Sequence, residues 1–242
     1  MERYLIPVRL PEWLHSALVG VKRIFVPPAP PPPPRIDIGG ERNVEWSFLS
    51  AEMPSGPGEA LEFGCENGYM SLVAAEKGYH VLANDLEEQC FSWSHHNVEF
   101  RKGDFLTLPL PASHFDLLIN CSSVEHVGVP GRYGISSKQE NGDIEVMNRF
   151  ADVLKPGGML IMTAPCGRDA VMAPWCRVYG PDRLPKLFSR FEVVKENYWM
   201  KNVNNQWVRC DRASALGFQP VQDPSNPHGC AYTLGGFILR KK

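Results

Sequence analysis

The chain has no apolar run approaching the roughly 20 residues that cross a bilayer. It has no CxxC pair and no cationic run longer than Arg240-Lys241-Lys242. The first absence argues against a spanning helix. The seven cysteines are odd in number and scattered between Cys65 and Cys230, so they read as reduced thiols and not a disulfide framework. The third absence, with a formal net charge of −2, leaves no electrostatic footprint for nucleic acid. Internal repeats are missing. So is a signal-peptide layout in residues 1–25, where Pro7 and Pro11 interrupt and charges are interspersed. These features lead to the expectation of a cytoplasmic protein without a transmembrane segment.

What is present is enough for one substantial core. The 242 residues are 43% hydrophobic and 21% charged, ordinary values for a globular domain. Three segments are expected. Residues 1–26 form an extension with an amphipathic helical pattern (Leu14, Leu18, Val21, Ile24). It could dock on its own domain, on a second copy or another partner, or at a membrane interface through Trp13, Lys22 and Arg23. Residues 27–35 hold a proline run that reads as an extended polyproline II linker. Residues 36–242 are the main domain.

In that domain strands and helices alternate. Strands are expected at 60–63, 80–83, 98–101, 115–121, 159–163, 191–199 and 232–240. Helices are expected at 36–52, 69–77, 143–154 and 182–189, with a helix-like stretch ending near His95-His96. Residues 200–229, rich in Asn, Pro and Gly, read as an irregular insertion. The pattern predicts an α/β fold. Its sheet is doubly wound, mainly parallel and seven-stranded, with helices on both faces and an antiparallel C-terminal strand.

The most informative stretch is Leu61-Glu62-Phe63-Gly64-Cys65-Glu66-Asn67-Gly68, followed one βα unit later by Asn84-Asp85. A strand, a glycine turn, a helix, a second strand and then a carboxylate make a holder for a nucleoside-bearing cofactor. A GxGxxG turn and a Tyr-x-x-x-Lys pair are both missing, which disfavours a nicotinamide-dependent oxidoreductase. The ExGxxxG spacing instead resembles motif I of the class I S-adenosylmethionine-dependent methyltransferases. The family's other landmarks follow in order: Asp85, Gly103-Asp104-Phe105, Phe115-Asp116, Asn120-Cys121-Ser122-Ser123-Val124-Glu125-His126 and Leu154-Lys155-Pro156-Gly157-Gly158. Glu125 to Gly128, Gly131 to Gly134 and Arg177-Val178-Tyr179 are similar to a bacterial subgroup acting on saccharides or other small metabolites.

That resemblance implies S-adenosylmethionine as cofactor, with S-adenosylhomocysteine as product. Gly64, Cys65 and Gly68 would lie under its methionine and ribose portion, with Glu62 ordering the turn. Asn84, Asp85 and Leu86 would sit at the ribose, Asp104 and Phe105 at the adenine, and Cys121, Ser122 and Ser123 beneath the sulfonium. Glu66 replaces the middle glycine of the family turn, and either reaches the cofactor amino group or points outward. His126 is the expected general base and Glu125 the second choice. Arg132, Tyr133, Arg177 and Tyr179 are expected to bind a small-molecule acceptor, most simply through a hydroxyl. Trp175, Trp199 and Trp207 form either a lid or core packing. Adjacent histidines on a helix rarely share one ion, so no metal is expected at His95-His96. A module that binds the cofactor without catalysis is the alternative.

Overall fold

The computed structural model describes residues 40–131, 133–134, 138–222 and 230–242. The expected N-terminal helix, the proline linker and Arg132 lie outside the described residues. The domain opens with helix α1 (Glu41–Glu52). Strand β1 (Gly58–Phe63), helix α2 (Tyr69–Glu76), β2 (Tyr79–Asp85), β3 (Val98–Lys102) and β4 (Phe115–Cys121) follow. A short 3₁₀ turn, Val124–His126, leads to α3 (Gly142–Val153) and β5 (Leu154–Cys166). Next come the hairpin β6 (Ala170–Met172) and β7 (Cys176–Val178), α4 (Leu184–Leu187), β8 (Phe191–Lys201) and β9 (Trp207–Cys210). The chain ends with α5 (Arg212–Gly217), β10 (Val221–Gln222), β11 (Cys230–Ala231) and β12 (Thr233–Lys241).

The main sheet has eight strands in the order β3-β2-β1-β4-β5-β12-β8-β9. The first five are mutually parallel, and β12 runs antiparallel to both β5 and β8. The count exceeds the expected seven because Trp207–Cys210, inside the supposed irregular insertion, pairs antiparallel with β8. Its four residues are too short to show an alternation in the sequence. A second difference lies between β2 and β3. Residues 86–97 form turns and no helix, and the His95 and His96 rings stack at 4.6 Å. The two rings therefore do not diverge as they would on a helix. The Lys155-Pro156-Gly157-Gly158 segment does not precede β5 but forms its first turn, where the register with β4 shifts.

Successive residues of each central strand point to opposite faces. In β4, Leu117 and Ile119 join a cluster with Phe48 and Leu49 of α1 and Met70 and Ala74 of α2. Leu118, between them, joins the cluster containing Met147 and Phe150 of α3, Leu187 of α4 and Leu216 of α5. The same alternation holds in β5 and β12, so helices cover both faces. On the α3 side, Phe63, Phe105 and Phe150 form an edge-to-face triangle with centroids 5.2–5.3 Å apart. Phe105 is 2% exposed and belongs to this core rather than to a ligand surface. Replacing it should therefore act on stability. Phe105→Ala is expected to cost about 3–5 kcal/mol in urea unfolding. A loss below about 1 kcal/mol would show that the ring is not part of the packed core.

Candidate cofactor and acceptor site

In an open α/β sheet, ligands sit beyond the carboxyl ends of the parallel strands where the strand order reverses. Here that point lies between β1 and β4. The turn after β1 is fixed from both sides. Gly64 and Cys65 donate their N–H groups to the Asn84 carbonyl at 2.9 and 3.1 Å. Ser123 Oγ donates to the Gly64 carbonyl at 3.2 Å. Gly64 has φ +65°, and a Cβ there would lie 2.5 Å from Ser123 Oγ. Gly68, at φ +68°, starts α2 beneath the stacked Phe91 and Trp93 rings, which a Cβ would strike at 2.8–2.9 Å.

Glu62 orders this turn from below. Its Oε2 accepts from the Ser71 N–H at 2.8 Å and the Ser71 hydroxyl at 2.5 Å, capping the first turn of α2. It is buried, and burial pushes its carboxyl up to about 7 against the pull of those bonds. Asp85, at the tip of β2, accepts from the Glu66 N–H at 3.0 Å and the Glu87 N–H at 3.1 Å. Asn84 differs from expectation. Its buried amide holds the Arg101 and Gly103 carbonyls at 2.9 and 3.1 Å, so the side chain braces β3 and does not face a ligand. Leu86 is exposed, and Cys65 is buried. Asp104 is exposed and closes its own turn by accepting from the Leu106 N–H at 3.0 Å.

The floor at the end of β4 carries residues the sequence reading missed. Glu45 of α1 is completely buried. It accepts from the Ser122 hydroxyl and from Thr163 Oγ1 at 2.9 Å, and pairs with Arg42 at 3.3 Å. Burial pushes its carboxyl up against these partners, which pull it down. Arg42 also donates to the Cys121 carbonyl at 3.3 Å and to Cys121 Sγ at 3.2 Å, and reaches Glu66 at 3.4 Å. Its guanidinium thus spans from the floor of β4 to the glycine turn. The available signal was the i, i+3 spacing of Arg42 and Glu45. Nothing in the sequence said that this polar face turns inward.

His126 lies just past β4, and its Nδ1 is 2.5 Å from the Trp175 carbonyl. Its ring is 5.9 Å from that of Tyr133, which is exposed. Glu125, 1% exposed, points inward and its Oε2 makes no hydrogen bond among the described residues. Burial pushes its carboxyl up to about 8, so it is mostly neutral at pH 7 and poorly suited to take a proton there. Arg177 is 2% exposed and donates to the Val127 and Gln139 carbonyls, with Asp143 at 3.8 Å. It holds the loop after the 3₁₀ turn from inside and has no reach to an acceptor. Tyr179 is fully buried beside β5. The three tryptophans do not converge. Trp175 meets His126, Trp199 packs on Phe48 at 5.5 Å, and Trp207 lies under Lys201.

Glu62 and Glu125 fix the sign of a pH effect. Both folded-state values lie above the ordinary 4.5, so the folded chain holds protons that the unfolded chain releases. Their contribution is fully present below about pH 4.5 and lost as pH rises through about 7 for Glu62 and about 8 for Glu125. Glu125→Gln should flatten the decline in stability between about pH 5 and 9. A proton held by the folded state alone gives that decline a slope of up to about 1.4 kcal/mol per pH step of one. Denaturation curves that stay parallel to wild type across this range would show that Glu125 ionises normally.

Comparisons with known proteins bear on the family and the fold. A "Probable S-adenosylmethionine-dependent methyltransferase" of Mycolicibacterium smegmatis is 25% identical over 126 residues, covering 48% of this chain and 44% of that protein. The chain thus spans less than half the length of this curated relative. N-methyltransferase NodS from Bradyrhizobium japonicum WM9, solved in complex with S-adenosylhomocysteine, matches with TM-score 0.55 at 15% identity, covering 83% of this chain and 87% of that one. The [4+2]-cyclase SpnF matches with TM-score 0.56 at 18% identity, covering 83% and 81%. At such identities the structural likeness is one of fold. The resemblance to class I S-adenosylmethionine-dependent methyltransferases therefore holds in sequence and in architecture. Residues 88–212, just over half of the chain, match the family model described as Caenorhabditis protein of unknown function, DUF268, and the chain belongs to that family.

Proposed function

We propose that this chain is an S-adenosylmethionine-dependent methyltransferase acting on a small molecule. The observation that carries the reading is the turn clamped between the Asn84 carbonyl and Ser123, with a carboxylate at one end and a guanidinium at the other. This donor set fits the cofactor. Asp85 accepts from ribose hydroxyls, and Arg42 takes the cofactor carboxylate in place of Glu66. Cys121, Ser122 and Ser123 form the floor, and Asp104 serves the adenine amino group. When bound, the cofactor supplies a methyl group activated by its sulfonium.

The protein's own contribution is alignment and proton handling. The contact between His126 Nδ1 and the Trp175 carbonyl places the proton of the neutral ring on Nδ1. The basic lone pair is then on Nε2, as a general base requires. His126 takes the proton of an acceptor hydroxyl, on a saccharide or another small metabolite. Tyr133 beside it, and Arg132, serve the acceptor. Arg177 and Tyr179 drop out of this role because both are buried in the scaffold. A second reading, cofactor binding without catalysis, draws on Glu66 closing onto Arg42 and on the aromatic pair packed over Gly68.

Calorimetry with S-adenosylhomocysteine tests the cofactor half. Micromolar binding (about −8 kcal/mol) is expected for the wild type, with a roughly tenfold or greater loss in Asp85→Ala and in Arg42→Ala. Binding of NAD⁺ in its place would overturn the reading. The catalytic half rests on turnover. His126→Ala should keep cofactor affinity and lose roughly 10²–10⁴ in rate, whereas the non-catalytic reading expects no turnover in either form.

A further inference from the structure

The 3₁₀ turn that carries His126 is three residues long, and it fixes the backbone of that residue alone. The side-chain torsions and the choice of tautomer stay open in a neutral imidazole. A general base needs both settled, because its lone pair must meet the acceptor's proton at about 2.6–3.2 Å. The group that supplies this lies 49 residues further on, in the β6–β7 hairpin.

The hairpin grips the chain from His126 to Gln139 at several points. At its tip the Trp175 carbonyl is 2.5 Å from His126 Nδ1. Beside it, Pro174 packs on Gly131 so closely that a Cβ there would lie 2.7 Å from the Pro174 Cβ. Gly131 has φ +101°, a backbone that suits glycine. In β7, Arg177 donates to the Val127 and Gln139 carbonyls. The hairpin is itself rooted. Met172, Cys176 and Val178 form a small core, with Trp175, Cys230 and Tyr232 packed against it. The Trp175 N–H closes the tip onto the Met172 carbonyl at 2.7 Å. Gln222 of β10 donates its side-chain amide to the Ala173 carbonyl at 3.0 Å. The peptide that meets His126 is therefore held through both residues before it.

We infer that the β6–β7 hairpin is the positioning element of the base, with Gly131 and Gln222 as positioning residues that act on His126 through it. The inference rests on the methyl-transfer reading and deepens it. When Nε2 takes the proton of the acceptor hydroxyl, Nδ1 keeps its own and stays bonded to the Trp175 carbonyl. The charge then on the ring makes that bond charge-assisted and stronger. The carbonyl orients the ring and stabilises its protonated form without taking a proton, as a partner on the far nitrogen of a histidine does elsewhere. A hairpin tip shifted by about 1 Å misplaces the lone pair, and such a shift costs a reaction about 10²-fold. Neither Gly131 nor Gln222 needs to touch the acceptor for this effect.

The test reads the ring nitrogens of His126 in the whole chain by ¹⁵N NMR, with His126→Ala used to assign the signals. In the neutral ring of the wild type, Nδ1 should carry the proton and Nε2 should be bare. Gly131→Ala drives a methyl group into Pro174, and Gln222→Ala frees the Ala173 carbonyl. Each variant should bring in the opposite tautomer. Gln222 is half-buried, and its truncation keeps the test open if Gly131→Ala does not fold. A wild-type ring protonated on Nε2, or a tautomer that neither folded variant moves, would overturn the positioning role. The NMR needs no cofactor. Failure of S-adenosylhomocysteine to bind would therefore overturn the methyl-transfer reading, while the ring signals still decide whether the hairpin holds His126.

Discussion

Glu45 reaches from helix α1 into the carboxyl ends of β4 and β5 and is held there by Ser122, Thr163 and Arg42. Burying a carboxyl this completely is costly unless its bonds are made, and removing any partner leaves the rest unsatisfied. The consequence is positional. Glu45 seats α1 across the strand ends, and that seating aims Arg42 at Cys121 and at the glycine turn. The left-handed backbone of Ser122, at φ +45°, turns its hydroxyl toward Glu45 and starts the 3₁₀ turn that carries Glu125 and His126. The glycine turn after β1 and the 3₁₀ turn after β4 thus share one buried polar joint.

Much of the architecture was legible because it rests on periodicity. The apolar run Phe115–Cys121 announced a strand buried on both faces, and it is the centre of the sheet. Gly64 and Gly68 announced the turn because both adopt positive φ there. Strand β9 was not legible, because four residues beside a hairpin turn carry too little pattern. The stretch at 86–97 looked helical by composition, but its aromatics pack over Gly68 and against Phe100 instead.

Site residues divided along a different line. Those whose role is local, such as Glu62 next to its own helix start, could be placed from the sequence. Those whose role depends on a partner distant in the chain could not. Arg177 looked like an anion binder and serves three carbonyls 37–50 residues away. Phe105 looked like an adenine neighbour and packs on Phe63 and Phe150. Arg42 and Glu45 drew no attention, since a charged helix face is usually solvated. The fold alone would not decide the chemistry, for the same architecture serves both NodS and SpnF. What points to methyl transfer is the set of side chains that meet at the strand ends.

The most direct measurement is a crystal structure of the chain soaked with S-adenosylhomocysteine. The account predicts the ligand across the ends of β1 and β4, with its ribose hydroxyls on Asp85 and its carboxylate on Arg42, displacing Glu66. A ligand bound elsewhere, or an Arg42–Glu66 pair that persists with the ligand present, would contradict it.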